Sequence, residues 1–131
     1  MSPKRILIVE DEAVTAVALK RELTGLGYHI TGMVDSAQEA IFAAEENRPD
    51  LVLMDITLAG QIDGVAAAAA IRGSLNLPVV FLTAHSDEPT MKRAMLAGPF
   101  GYLLKPFNSH ELKAAIEVAL HKHRSELERT G

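Results

Sequence analysis

The stretch RILIVEDEA, residues 5 to 13, predicts a strand that ends on acid. Ile6 to Val9 form an apolar run typical of a buried strand, and Glu10, Asp11 and Glu12 follow it directly. At an effective dielectric constant of about 20, two unit charges about 4 Å apart repel by roughly 4 kcal/mol. Some other group must therefore offset this charge in the folded protein.

Composition limits the classes of protein to consider. The 131 residues suit one domain, and 48% hydrophobic with 23% charged residues is enough for a core. A net charge of −4 argues against nucleic acid or an anionic membrane as a direct partner. The absence of cysteine excludes disulfides and thiolate chemistry. The start, MSPKRILIVEDE, is not a signal peptide, and no run approaches the ~20 apolar residues of a membrane span, so we expect a cytoplasmic protein.

Short apolar runs alternate with helical patterns along the whole chain. Strands are predicted at 5–10, 28–34, 51–54, 78–82 and 100–104. Helices are predicted at 13–26, 36–47, 65–73, 87–97 and from Asn108 to beyond residue 125, the second opening on a Ser36–Glu39 capping box. Five strands, each followed by a helix, favour an α/β fold with a parallel sheet and helices on both faces. Ligands of such sheets bind beyond the carboxyl ends of the strands.

Polar residues stand where four of these strands end. They are Glu10 and Asp11, Asp55, Thr83, and Lys105. Parallel strands bring these ends to one edge of the sheet. Clustered carboxylates there suit Mg²⁺, which prefers oxygen ligands and accepts phosphate oxygens. A carboxylate can also be the nucleophile that takes a phosphoryl group, as an aspartyl phosphate.

Four segments in this order resemble the receiver domain of two-component response regulators. They read VEDE, LVLMDITLAGQIDG, PVVFLTAHSD and GYLLKPF. The resemblance covers residues 4–122 and leaves 123–131 as a charged helical extension or linker. It implies a flavodoxin-like, doubly wound five-stranded sheet with strand order 2-1-3-4-5. It also implies a phosphorylation-controlled signalling domain rather than an enzyme, one that catalyses only its own phosphoryl transfer and dephosphorylation.

The resemblance also implies roles for the acidic residues. Asp55 would be the phosphoacceptor and a ligand of Mg²⁺. Asp11 would bind the ion directly and Glu10 through water, with the backbone carbonyl of Thr57 as a further ligand. Without the resemblance, acids after a strand are more typical of a solvated loop or a helix N-terminus, where they suit the helix dipole, and we interpret Glu12 in that way.

The other site residues follow from the same resemblance. Thr83 would bond a phosphoryl oxygen, and Lys105 would pair with the phosphoryl group. Tyr102 would be the switch aromatic that moves inward as Thr83 closes, although a strand tyrosine can also be core with a solvated hydroxyl. The Lys105–Pro106 peptide bond would be cis.

The implied partners are a sensor histidine kinase or a phosphotransfer protein. A homodimer could form through the face of the fourth helix, fifth strand and fifth helix, and an output module could follow Gly131. No direct contact with nucleic acid or membrane is expected. The charged tail HKHRSELERTG, residues 121–131, reads as a solvated helix, with His121 and His123 on its solvated face. His85 would lie near the mouth of the site and could limit access of water to the phosphate.

Two rival functions remain open from the sequence. A haloacid-dehalogenase-type phosphatase also uses an aspartyl phosphate, but Asp55-Ile56-Thr57 lacks that family's second aspartate and follows the third strand. A flavin or dinucleotide binder would share the sheet, but no G-x-G-x-x-G follows the first strand. The three acids at that position would also repel a phosphate.

Overall fold

The computed structural model describes residues 2–56, 64–83 and 88–130, and within these it has five strands and five α-helices. The strands are β1 (Arg5–Val9), β2 (His29–Val34), β3 (Leu51–Asp55), β4 (Val79–Thr83) and β5 (Gly101–Leu104). The helices are α1 (Ala13–Gly25), α2 (Ala37–Asn47), α3 (Gly64–Ala70), α4 (Glu88–Leu96) and α5 (Ser109–Thr130). Each element was predicted from the sequence to within a few residues.

All five strands are parallel, in the order β2-β1-β3-β4-β5. The predicted doubly wound α/β fold is therefore confirmed. β3 and β4 are buried along their whole length because helices cover both faces of a parallel sheet. The edge strand β5 alternates between half-buried and exposed residues.

Alternate residues of the central strands feed two hydrophobic cores. Leu7, Val52 and Phe81 point to the face covered by α2, α3 and α4. Their neighbours Ile8 and Leu53 point to the other face, where α1 and α5 contribute Leu19, Leu23, Leu112 and Ile116. This period of two is what a strand buried on both faces requires. The two cores fix all the strand ends relative to one another.

Local signals set the starts of two helices. Ser36 Oγ accepts a hydrogen bond from Glu39 N at 3.2 Å, as the capping box predicts. Asn108 caps α5 reciprocally: Glu111 N donates to Asn108 Oδ1 at 2.8 Å, and Asn108 N donates to Glu111 Oε1 at 3.1 Å. The predicted cap at Asn108 is therefore confirmed.

Two boundaries differ from the prediction for physical reasons. α3 ends at Ala70 and continues as a wider π-helical stretch, Ile71–Leu75, which stops at Asn76 in a left-handed conformation with φ 52°. β2 begins at His29, whose backbone N–H donates to the carbonyl of Lys4 at 2.9 Å, because the backbone N–H of Tyr28 is still bonded to the carbonyl of Leu23 in α1 at 3.0 Å. The hydroxyl of Tyr28 donates a hydrogen bond to Glu117 Oε2 of α5 at 2.5 Å.

The prediction that the tail is a solvated helix rather than core is confirmed for most of its described residues, but the placement of His123 on the solvated face is wrong. His123 is half-buried, and its Nε2 lies 2.8 Å from the carbonyl oxygen of Asn76. Ser125 and Glu126 are also half-buried, whereas His121 is exposed as expected. The reason is that α5 continues along the edge of the domain beyond its last fully buried residue, Ala119. In the part of the chain that the structure covers, no helix combines the length and the apolar character needed to cross a membrane.

Candidate functional site

The carboxyl ends of β1, β3, β4 and β5 meet at one edge of the sheet. Glu10 and Asp11 follow β1, Asp55 is the last residue of β3, Thr83 is the last of β4, and Lys105 follows β5. These are the residues that the sequence pattern brings to one rim. The fold therefore collects them from positions almost 100 residues apart.

Backbone hydrogen bonds continue past the strand ends and fix these side chains in place. Glu10 N donates to the carbonyl of Val34 at 3.0 Å, and Lys105 N donates to the carbonyl of Thr83 at 2.8 Å. Each functional residue thus starts from a backbone position set by the neighbouring strand. Such preorganisation is what a binding site on a rigid scaffold needs.

Three carboxylates converge at this edge. Oxygen atoms of Glu10, Asp11 and Asp55 all lie within 4.8 Å of one another. Glu10 and Asp55 are buried, and Asp11 is exposed. Within the ranges that the structure describes, neither carboxylate oxygen of Glu10 has a hydrogen-bond partner. A buried carboxylate without a donor is costly, so this cluster indicates a binding site for a cation or another donor.

Lys105 offsets part of this charge. Its Nζ lies 3.2 Å from Asp55 Oδ2 and 3.6 Å from Glu10 Oε2. The shorter contact is a hydrogen bond and the longer one is an ion pair without hydrogen-bond geometry. The lysine side chain is only 23% exposed, so water screens these contacts less than at an open surface.

The charge imbalance is visible in the pKa values. Burial, then the contact with Asp55, raises the pKa of the Glu10 carboxyl well above its ordinary value, and Lys105 only partly opposes this. Burial pulls the pKa of Lys105 down, but the charges of Asp55 and Glu10 outweigh burial and raise it. Ionisation of Glu10 in this buried place beside Asp55 is therefore unfavourable, despite the ammonium group of Lys105.

Gly64 lies against the end of β3, and the sequence analysis did not single it out. A Cβ at this position would lie 2.3 Å from the carbonyl oxygen of Asp55 and 2.9 Å from that of Ile56. Only glycine fits such a close approach of two backbones. The start of α3 is thus packed directly on the backbone that carries Asp55. The signal in the sequence was a glycine opening a helix, but nothing there indicated its neighbour.

The remaining predicted residues lie elsewhere. Tyr102 is on β5, the outermost strand of the sheet, with 47% of its surface exposed. It lies outside the cluster of carboxylates. The Lys105–Pro106 peptide bond, expected to be cis, is cis. Thr57 and His85 fall outside the residues that the structure describes.

Comparison with known proteins gives the same family from sequence. The family model described as "Response regulator receiver domain" matches residues 6–117. Transcriptional regulatory protein PdtaR of Mycobacterium tuberculosis is 42% identical over 122 residues, which are 93% of this chain and 59% of that protein. DNA-binding response regulator MtrA of the same organism is 34% identical over 94% of this chain and 53% of its own length. The chain thus spans little more than half of these relatives.

Solved structures agree in fold and size. The signal receiver domain of a modulated diguanylate cyclase from Desulfovibrio desulfuricans superposes with a TM-score of 0.90 at 42% identity, covering 95% of this chain and 98% of that one. The receiver domain of a sensor histidine kinase from Pseudomonas aeruginosa has a TM-score of 0.82 at 33% identity, covering 91% and 98%. That structure is described with a magnesium ion coordinated in the active site cleft.

The donor set in this chain fits a hard divalent cation of the same kind. All three converging side chains offer carboxylate oxygens, and those of Glu10 lack a donor in the described part of the chain. With the fold, the site and the family match in agreement, the chain belongs to the response regulator receiver domains, which are phosphorylation-controlled signalling domains rather than classical enzymes.

Proposed function

We propose that Asp55 accepts a phosphoryl group from a sensor histidine kinase or a phosphotransfer protein. The observation that carries this proposal is the hydrogen bond from Lys105 Nζ to Asp55 Oδ2, made beside the buried carboxylate of Glu10, which has no hydrogen-bond partner among the described residues. A carboxylate oxygen of Asp55 attacks the phosphorus of a phosphohistidine, and a P–O bond forms as the P–N bond breaks. The electron pair stays on the imidazole nitrogen. Family membership favours this regulatory role over a phosphatase or a flavin binder.

Two side chains receive the transferred group. Lys105 moves its ion pair from the carboxylate of Asp55 to a phosphoryl oxygen, where the extra negative charge strengthens it. Thr83, only 2% exposed at the end of the neighbouring strand, donates its hydroxyl to a second phosphoryl oxygen. Both stabilise charge that develops during transfer, which is the main way proteins catalyse phosphoryl transfer. The same groups serve dephosphorylation, so the chain catalyses only its own transfer and hydrolysis.

The carboxylates hold Mg²⁺ in this proposal. Asp11 and Asp55 would bind the ion directly, Glu10 would bind it through water, and the backbone carbonyl of Thr57 would be the third protein ligand. When bound, Mg²⁺ would supply positive charge that neutralises the three carboxylates and the phosphoryl oxygens. The exposure of Asp11 leaves that side of the cluster open to solvent and to the donor.

Phosphorylation of two single variants tests the acceptor. We expect beryllofluoride or acetyl phosphate with Mg²⁺ to modify the wild type and to leave Asp55→Asn unmodified, as seen in the intact mass. Asp35→Asn is the matched control, because Asp35 is an exposed acid after the neighbouring strand β2. It should be modified like the wild type. Equal labelling of Asp55→Asn and wild type would assign the acceptor to another residue.

The switching surface is the face formed by α4, β5 and α5. We propose that Thr83 closes on the phosphoryl group and that Tyr102 then moves inward and reshapes this face. Large apolar side chains are exposed there: Met95, Leu96, Tyr102, Leu104 and Val118. Such exposure suits a weak homodimer that tightens on phosphorylation. Identical monomeric sedimentation at high micromolar concentration, with and without beryllofluoride, would remove the dimer from this proposal.

The wider assignment follows from the same role. Residues 4–122 are the receiver domain, and 123–131 are the extension that leads to an output module or to a dimer partner. The site is acidic, so we propose no direct contact with nucleic acid or membrane, and a cytoplasmic location where a kinase can reach Asp55.

A further inference from the structure

A second cluster of charged and aromatic side chains lies at the opposite edge of the sheet, where strands begin. Its centre is Arg72, in the π-helical stretch after α3. Arg72 Nε donates to the carbonyl of Gly98 at 2.8 Å, Nη1 donates to Asn76 Oδ1 at 3.1 Å, and Nη2 lies 3.5 Å from Glu126 Oε1. Each nitrogen of the planar guanidinium group thus has its own acceptor, which a lysine could not reproduce.

Phe100 lies between two cationic or polar partners in this cluster. The guanidinium carbon of Arg72 is 4.4 Å from the centre of the Phe100 ring, a cation–π contact. The His123 ring meets the same ring edge-on, with centroids 5.5 Å apart and planes at 87°. His123 Nε2 also lies 2.8 Å from the carbonyl oxygen of Asn76. The cluster therefore joins three segments: 72–76, 98–100 and 123–126.

The helical spacing of α5 explains why its tail reaches this cluster. Leu112, Ile116 and Ala119 are its fully buried positions. His123 and Glu126 continue the same stripe at steps of four and three residues, which keeps them on the same face of the helix. The residues of this stripe change from apolar to polar at the point where α5 leaves the hydrophobic core and reaches Arg72 and Phe100. These polar residues are therefore contact residues of α5 rather than part of its solvated face.

The middle segment of the cluster connects α4 to β5. Gly98 has φ +72°, a conformation that favours glycine, and its carbonyl is the acceptor of Arg72 Nε. Phe100 directly precedes β5, and its backbone N–H donates to the carbonyl of Val79 at 2.9 Å. A displacement of α4 or β5 therefore moves two groups that Arg72 and His123 contact.

We propose that Arg72, Asn76, Phe100, His123 and Glu126 form a latch that holds the last turns of α5 against the α4–β5 connection. The latch makes the position of residues 123–130 depend on the arrangement of α4 and β5. This second statement rests on the proposed function, because it needs phosphorylation of Asp55 to change that arrangement. The latch itself does not depend on it.

Hydrogen–deuterium exchange of the full chain tests the latch. Arg72→Lys keeps the charge but loses the planar fork and its stacking on Phe100. We expect the amide exchange rate of residues 121–130 to rise roughly fivefold or more, because the lost cation–π contact and hydrogen bonds no longer oppose local opening of the helix. The exchange rate of residues 109–116 should stay unchanged. Arg124→Lys is the matched control, since Arg124 is exposed on the same helix. Should Arg72→Lys disturb folding, Glu126→Gln tests the same contact from the tail.

Beryllofluoride with Mg²⁺ then tests the coupling. We expect it to change exchange of residues 121–130 at least twofold in the wild type and not in Arg72→Lys. Tail exchange in both latch variants within twofold of wild type would overturn the latch. An equal response of the tail in wild type and Arg72→Lys would overturn the coupling while leaving the proposed function intact. If beryllofluoride does not protect the backbone around Asp55 at all, the proposed function and the coupling fail together, and the latch is still decided by the first comparison.

Discussion

The sheet has a carboxyl edge, where its strands end, and an amino edge, where they begin. The two edges differ in how their charged side chains are paired. At the carboxyl edge, Glu10 is buried with no hydrogen-bond donor in the described chain, and Lys105 reaches it only at 3.6 Å. At the amino edge, each nitrogen of the Arg72 guanidinium meets an oxygen, and its face covers an aromatic ring. Both clusters join residues that are remote in sequence.

The difference separates a binding site from a structural contact. A satisfied cluster adds modest stability and needs nothing else, because partly exposed ion pairs contribute about 0–1 kcal/mol. An unsatisfied, buried cluster costs stability until a ligand completes it. The Glu10 carboxylate, which lacks a hydrogen-bond partner within the described part of the chain, therefore marks the functional edge. The complete contacts of Arg72 mark the edge that positions α5.

The largest expected effect comes from adding one methyl group at the carboxyl edge. Gly64→Ala would place a Cβ 2.3 Å from the carbonyl oxygen of Asp55, so the backbone there must move. We expect a loss of about 3 kcal/mol in the free energy of unfolding, at the upper end of overpacking effects. Gly25→Ala is the matched control: no atom lies within 4 Å of its Cβ, and it should gain up to about 0.5–1 kcal/mol as a helical alanine.

Urea unfolding of the two alanine variants measures this difference. Equal midpoints for Gly64→Ala and Gly25→Ala would show that α3 can move away from Asp55 without cost. The carboxyl edge would then be less rigid than the backbone contacts indicate.

Mg²⁺ gives the next largest effect. A ligand that binds only the native state adds about 2.7 kcal/mol to the free energy of unfolding when its concentration is 100 times the dissociation constant. We expect Mg²⁺ to raise the melting temperature of the wild type, and Asp11→Ala to abolish this rise. Asp35→Ala, which removes an exposed acid just after the neighbouring strand β2, should keep it. An undiminished rise in Asp11→Ala would place the ion elsewhere. The carboxylate cluster at the carboxyl edge would then not be the Mg²⁺ site.

Most of the fold could be predicted from the sequence because its strands are short apolar runs with polar ends. β3 and β4 are buried on both faces, so their positions needed no knowledge of tertiary structure. The carboxyl edge followed from the same pattern, since parallel strands always bring their carboxyl ends together. Asp55 and Lys105 were placed in this way.

The amino edge could not be predicted, because its contacts depend on which loops meet. Phe100 precedes a strand and Arg72 lies in the helical stretch after α3, and neither position indicates that they stack. The charged composition of 121–131 favoured a solvated tail, although the spacing of His123 from Ala119 and Ile116 was a usable signal. Gly64 was missed for a similar reason. The only sign of the close backbone approach in the sequence is a glycine, and a glycine does not identify the segment that it approaches.

The smallest of these effects is also the most direct test of the contrast between the two edges. Burial, together with the nearby Asp55, raises the pKa of Glu10 from its ordinary 4.5 to about 8. Between these values the folded state holds a proton that the unfolded state has lost, so stability falls as the pH rises through this window. Glu10→Gln removes this titration, and its amide can donate to Asp55.

In EDTA we therefore expect Glu10→Gln and wild type to be close in unfolding free energy below pH 4.5. At pH 8 the variant should be more stable by about 2 kcal/mol. The whole pKa shift would correspond to about 5 kcal/mol at about 1.4 kcal/mol per pKa unit, and local relaxation with entry of water reduces it. Glu126→Gln at the amino edge is the matched control and should lose less than about 1 kcal/mol, and less still in high salt. A Glu10→Gln variant that is less stable than wild type at pH 8 would mean that the Glu10 carboxylate is already satisfied in the folded protein.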